Sequence, residues 1–156
     1  VTLWRALLSL GADLGIRPHG LEALLRLRLD KGHIIVGQDT DFDSTPRRLG
    51  LDAMVRLDKP AFVGRQAVLR TNAEPLDKRL RGFTMAGAPP PEGATIWRDG
   101  EFAGHVTSAA WSPALHCSVA LGWLREGRDT PLTIDGRAAE LHTLPFYDPS
   151  GGRARG

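Results

Sequence analysis

From about residue 76 onward the chain is cut into short apolar runs by Gly and Pro, and that punctuation limits its fold more than any other feature. Two of the cuts are Asp-Gly dipeptides, Asp99-Gly100 and Asp135-Gly136, each between strand-like residues. Asp-Gly suits a type I′ hairpin turn, because both central residues need positive φ and the twist of that turn matches its flanking strands. The pattern predicts strands over Arg79–Met85, Thr95–Arg98, Glu101–Ser108, Ser118–Leu124, Leu132–Ile134 and Arg137–Leu144. Six short strands with such turns point to a small antiparallel barrel or sandwich. Ala86–Gly93 (AGAPPPEG) must connect rather than pair, since three successive prolines cannot donate to a ladder.

The first part of the chain has a different rhythm. Leu3, Leu7, Leu10 and Leu14 recur at helical spacing, with Thr2 as N-cap and Gly15 as stop. A second helix is predicted over Leu21–Leu27, ended by Lys31-Gly32. His33–Val36 is rich in β-branched residues and reads as a strand, as does Leu51–Leu57. Thr45-Pro46 places a cap residue before a first-turn proline and predicts a short helix; Gly64–Leu69 predicts another. The change of rhythm puts a boundary at Thr71–Asp77. The expected class is therefore α+β: a helix/strand part over 1–75, then a β domain over 76–156.

Composition excludes several functions. The formal charge is +2, and no Lys/Arg run reaches motif length, so nucleic acid is not an expected partner. The longest stretch without charge, Phe102–Leu124, carries His105, Thr107, Ser108, Ser112, Pro113, His116 and Ser118, too polar for lipid. A single cysteine, Cys117, excludes an internal disulfide or a Cys-based zinc site and suits a reducing, cytoplasmic setting. The chain begins at Val1 with neither an initiator Met nor a signal segment, and is expected to be part of a longer protein.

No catalytic or metal constellation stands out. Asp39, Asp41 and Asp43 alternate as a calcium loop begins, but its required Gly and bidentate Glu are replaced by Ser44 and Gly50. An acidic turn is the better reading. The histidines at 19, 33, 105, 116 and 142 never approach ligand spacing. Ser108, Ser112 and His116 lack a nucleophile-elbow context, and no phosphate-cradling glycine motif occurs. Trp111, beside a turn, is the tryptophan best placed to face a ligand.

Three stretches and the end of the chain carry a family resemblance. Leu27–Thr40 (LRLDKGHIIVGQDT) resembles the "LRxEKGyIIVGQDT" segment of sarcosine oxidase alpha subunits, found in looser form in glycine-cleavage T-proteins. Leu57–Ala67 (LDKPAFVGRQA) resembles the family's "K-x-x-F-[IV]-G-[KR]-x-[AS]" element. Gly104–Ser108, Ser112-Pro113 and Val119–Gly122 resemble its "G-x-[VI]-T-S…SP…[IV]-A-[LM]-[GA]" barrel signature, and Pro145–Pro149 is similar to a "PFYDP" terminus. The form of the first segment favours the sarcosine oxidase branch.

The resemblance implies the C-terminal part of a folate-binding fold: a partial middle α/β domain over 1–75 and a six-stranded antiparallel barrel over 76–156. It implies tetrahydrofolate as cofactor, with any FAD or NAD held by other regions or other subunits. The implied partners are the rest of the same enzyme and possible further sarcosine oxidase subunits. In that branch the domain captures a one-carbon unit from an oxidised N-methyl amine; in the aminomethyltransferase branch the unit comes from a lipoyl carrier. A non-catalytic binding module and a related methyl transferase stay open as alternatives. The key carboxylates of the family precede this segment, so no catalytic residue is assigned. Leu24 stands where T-proteins carry a folate-contacting Arg. Tyr147 is the one cofactor-binding candidate; Arg28 and Asp39 are expected as a paired arginine and a turn carboxylate.

Overall fold

The computed structural model describes residues 1–155. Helices α1 (Thr2–Leu10), α2 (Leu21–Asp30) and α3 (Arg65–Ala73) precede strands β1 (Lys78–Met85), β2 (Thr95–Arg98), β3 (Glu101–Ser112), β4 (Cys117–Arg125), β5 (Leu132–Ile134) and β6 (Arg137–His142), followed by one helical turn at Gly152–Arg155. The strands close into an antiparallel barrel in the order β1-β4-β3-β2-β5-β6, with β6 returning to β1. The α+β class and the barrel expected from the sequence are both present. Asp99 and Gly100 have φ of 51° and 81°, and Asp135 and Gly136 have 53° and 72°, the positive pair that a type I′ turn requires.

Two apolar clusters hold the structure. One fills the barrel: Phe83, Met85, Ile96, Val106, Leu124 and Ile134 are among its members. The other lies outside the barrel wall, where Leu80, Val119, Leu121 and Trp123 meet Leu29 of α2 and Phe146 of the C-terminal segment. β4 is therefore buried on both faces from Ser118 to Leu124, which is why it reads as a continuous apolar run rather than an alternating one. Gly82 makes room for the C-terminal segment, because a Cβ there would stand 2.8 Å from Leu144 and 2.9 Å from the His142 carbonyl. α2 thus packs on the outer wall of the barrel through its C-terminal end, where Leu29 and Asp30 are buried, and this packing builds the site described below.

The N-terminal part departs from expectation in six places. The leucine repeat does not run as one helix to Leu14: α1 ends at Gly11, where a Cβ would collide with Ile16, and a 3-10 turn over Ala12–Leu14 follows. Thr2 is not the cap; Val1 holds that place, with no side-chain cap bond. The strands expected at His33–Val36 and Leu51–Leu57 do not form; the first is a turn segment and the second contains a 3-10 turn over Asp52–Met54. Each has a strand's residue pattern, but the closed barrel presents no free edge and no other strand lies beside them among the described residues. Pro46–Gly50 makes turns and not a helix. α3 runs on to Ala73, past the Leu69 end that its pattern suggests.

Candidate functional site

α2 stops with a Schellman motif. Gly32 takes φ 65°, its N–H donates to the Leu29 carbonyl, and the His33 N–H donates to the Arg28 carbonyl. This reversal throws residues 33–40 back toward the helix. The returning turn is closed by Asp39, whose side chain accepts the Ile35 N–H at 2.8 Å and whose own N–H donates to the Ile35 carbonyl. The IIVGQD segment spends its backbone groups on this turn, not on a ladder.

Asp39 is fully buried. Its Oδ2 also accepts Arg28 Nη1 at 2.6 Å, and its Oδ1 accepts the hydroxyls of Thr107 and Ser108, each at 2.6 Å. Arg28, only 11% exposed at the side chain, completes the ring by donating Nη2 to Ser108 Oγ at 2.7 Å and Nη1 to the His33 carbonyl at 3.2 Å. Both carboxylate oxygens are occupied, the condition under which a buried charge is tolerated.

Adjacent strand residues ordinarily face opposite ways, so Thr107 and Ser108 could not both reach one carboxylate from a regular strand. A bulge solves this. Val106 pairs with Gly122 and Ser108 with Leu121, leaving Thr107 as the extra residue. Val106 then points into the barrel, Ala110 faces outward, and both hydroxyls lie on the α2 side. Gln38 adds a clamp by donating Nε2 to the Thr107 carbonyl at 3.3 Å.

Over this network lies a cleft of about 540 Å³. Its walls are α2 (Glu22, Leu25, Arg26, Arg28), the proline loop (Pro89, Pro90, Glu92) and β3 from Ser108 to Trp111, with Gln38 beside them. Its size lies within the range of small-molecule sites. Trp111 is 38% exposed. Arg28 Nε is buried and has no hydrogen-bond partner.

The other sequence candidates fall elsewhere. Asp41 and Asp43, the rest of the acidic alternation, both meet Lys78 of β1, at 3.2 and 3.1 Å, and Arg48 bridges Asp43 to Asp77. The three carboxylates of the calcium-like run therefore answer cations of this chain, and no metal-ligating group of three is found among the described residues. Partial burial pushes the Asp41 carboxyl up, but the hydrogen bonds it accepts from Ser44 and Lys78, with the Lys78 charge, outweigh it and hold it at about 2. Tyr147 is half-buried at the C-terminal end of α2, donating its N–H to the Asp30 carbonyl at 2.9 Å, with Arg153 5.4 Å over its ring. Lys31 Nζ donates to the neighbouring Asp148 carbonyl at 2.8 Å, so this segment straps α2 to the barrel. Tyr147 does not line the cleft. The Ser108 hydroxyl is committed to Asp39, and no hydrogen bond joins it to Ser112 or to His116, which sits at positive φ in the β3–β4 turn. Burial raises the Cys117 thiol above its usual range. The Thr107–Asp39 and Gln38–Thr107 contacts carry no sequence signal, because bulge position is not legible in a strand pattern.

Residues 1–59 match the family model described as the GCVT N-terminal domain, and residues 78–148 match the glycine cleavage T-protein C-terminal barrel domain. The chain is 37% identical over 154 residues to an aminomethyltransferase of Halothermothrix orenii, covering 94% of this chain and 43% of that protein. It is 32% identical over 164 residues to a probable aminomethyltransferase of Thermococcus kodakarensis, with 94% and 41% covered. Among solved structures, the glycine cleavage system aminomethyltransferase T from Bartonella henselae superimposes with a TM-score of 0.81 at 28% identity, over 93% of this chain and 44% of that one. The chain thus spans about two fifths of the length of the relatives it matches.

Proposed function

The chain belongs to the glycine cleavage T-protein family, and from that membership we propose that it forms the barrel-bearing part of a tetrahydrofolate-dependent aminomethyltransferase. The observation that supports this reading is the cleft between α2 and β3, whose residues fit a folate. Trp111 offers a flat aromatic face. Arg26 and Arg28 offer cations to the carboxylates of a glutamyl tail. When bound, tetrahydrofolate supplies the amine nitrogens that receive the one-carbon unit.

The chain's own residues bind and orient. Asp39 moves no proton, because both of its oxygens are engaged; it fixes the plane of the Arg28 guanidinium against β3. Ser108 holds the second guanidinium nitrogen, so the cation is pre-organised instead of searching among rotamers. Glu22 and Glu92 on the cleft walls repel an anionic tail and direct it toward the two arginines. The carboxylate that handles protons in the reaction is assigned to the part of the enzyme that relatives carry and this chain does not. A reducing, cytoplasmic setting suits the lone thiol of Cys117.

A second reading, a folate domain of sarcosine-oxidase type, draws on Leu24. That residue is an exposed leucine where T-proteins place a folate-contacting arginine. Turnover of sarcosine against turnover of an aminomethyl-lipoyl donor by the completed enzyme separates the two.

The cleft is tested by titrating tetrahydrofolate into the 156-residue chain by calorimetry. Binding in about the millimolar range is expected, weakened about tenfold by Trp111→Ala, the order of one aromatic contact. No saturable binding, or binding indifferent to Trp111 and Arg28, would refute the site. The chain alone is expected to show no aminomethyl transfer; turnover by it would place the proton-handling acid within these residues.

A further inference from the structure

The end of the barrel remote from the cleft gathers arginines that have no acid partner. β3 starts at Glu101 on this end and reaches the cleft at Ser108, about 20 Å further along the strand. Among the barrel's arginines, Arg79 meets Glu126 at 3.0 Å and Arg137 meets Asp135 at 3.7 Å. The other four, Arg81, Arg98, Arg125 and Arg128, line one cavity of about 210 Å³. Among the described residues none of these four forms an ion pair with a carboxylate.

Strand register aims two of them at the barrel mouth. In β1, Leu80 belongs to the outer cluster and Phe83 to the barrel interior, so Arg81 lies on the inward side. In β2, Arg98 follows the buried Ile96 by two residues and pairs with Leu132 of the interior. Both arginines are half-buried at the rim, above Leu124 and Leu132. Arg98 folds over the loop between β4 and β5, where a Cβ on Gly127 would collide with its guanidinium. Its hydrogen bond runs to the Arg125 carbonyl at 2.9 Å. On the same wall, Thr130 Oγ1 is buried with no hydrogen-bond partner. Guanidinium groups that converge without a counter-ion repel one another, and a bound oxyanion turns that repulsion into attraction. Two carboxylates share the wall, Glu126 and Asp129. Glu126 is held by Arg79, which leaves Asp129 against the four arginines.

We propose that this mouth binds a single phosphate group, either free or carried as the monoester of a small molecule. The planar fork of arginine matches phosphate oxygens two at a time. Size and charge narrow the ligand. The cavity is smaller than the roughly 300–1,000 Å³ of sites for drug-sized molecules. An adjoining groove shares Arg98, Arg125 and Arg128 but also carries Asp99 and Glu101. Those two carboxylates oppose a polyphosphate chain or a nucleic-acid backbone, while Phe102 gives the body of an ester an apolar surface. The site stands whether or not the cleft takes folate.

The test titrates sodium phosphate into the 156-residue chain and follows its amide and arginine Nε–H resonances, with sodium chloride at equal ionic strength as the control. Saturable shifts confined to residues 98–101 and 125–130, with a Kd of about 1 mM, are expected. Arg81→Gln and Arg98→Gln should each weaken binding about tenfold, the order of one charge-assisted hydrogen bond, and Asp129→Asn should strengthen it. Phenyl phosphate separates the two sources. Tighter binding than inorganic phosphate identifies a carried phosphate, equal binding identifies the free ion, and either supports the site. Equal shifts with chloride, or binding indifferent to both arginine substitutions, would overturn it. So would a single-stranded dT oligonucleotide that binds more tightly than phosphate, because the patch would then be a nucleic-acid surface. If an inward-facing variant does not fold, Arg128→Gln on the exposed loop decides: about a threefold loss is expected, and no loss refutes the site. Tetrahydrofolate binding should be unchanged in Arg98→Gln, so this site and the cleft can fail independently.

Discussion

Asp39 is a carboxylate that touches no solvent and four donors. Removing its charge leaves Arg28 buried with no counter-ion, a change that costs about 3–5 kcal/mol in buried pairs. Asp39→Asn should lower the urea midpoint accordingly, and adding Arg28→Met should recover part of the loss because the stranded cation goes with it. Ser108→Ala should cost about 1–3 kcal/mol, since it removes one of the two donors to Asp39 Oδ1 and leaves Arg28 Nη2 without its partner. Asp41 sets an acid dependence. Its folded value of about 2 lies below the ordinary 3.8, so its contribution is complete above that ordinary value and is lost as pH falls toward the folded one. Stability measured between about pH 5 and 2 should therefore fall less steeply in Asp41→Asn than in the parent chain. A paired arginine at 28 and a turn carboxylate at 39 were legible as residue types within a motif; that they pair with each other, and the two hydroxyls that complete the network, were not, because nothing in the residues Val106–Ala109 says which one the strand will leave unpaired.

At the scale of elements, hairpins and strands were readable and lone extended segments were not. Asp99-Gly100 and Asp135-Gly136 carry their turn chemistry locally, so a short window suffices to recognise them. His33–Val36 and Leu51–Leu57 have the composition of strands, yet a strand exists only where another offers its hydrogen bonds, and a closed barrel offers none. The barrel depends on two close approaches. Gly104 faces the Trp123 carbonyl with no space for a side chain, and a Cβ on Gly122 would stand 2.7 Å from the His105 carbonyl. Gly104→Ala must part β3 from β4 and should cost about 3 kcal/mol or prevent folding, whereas Gly93→Ala, with open space but a φ of 82°, should cost only about 1 kcal/mol of backbone strain. Chemical denaturation of the two variants gives the comparison.

For the molecule as a whole, the barrel and the α2 strap form one cooperative body, and α1 stands apart from it. Deleting residues 1–20 should leave the unfolding midpoint of the barrel unchanged within about 0.5 kcal/mol, because those residues bury almost nothing against it. A loss of several kcal/mol would mean that α1 packs on its own chain. The sequence by itself determined the run of short strands, the hairpin turns, the helical first part and the family signature, because each is written in residues close together along the chain. Only the tertiary structure decided which apolar runs become strands, how a single bulge turns Thr107 and Ser108 toward Asp39 across 68 and 69 positions, and that α1 presents its leucines to nothing. Those outcomes depend on which distant groups meet, and hydrogen bonds and buried area are properties of the meeting, not of either residue alone.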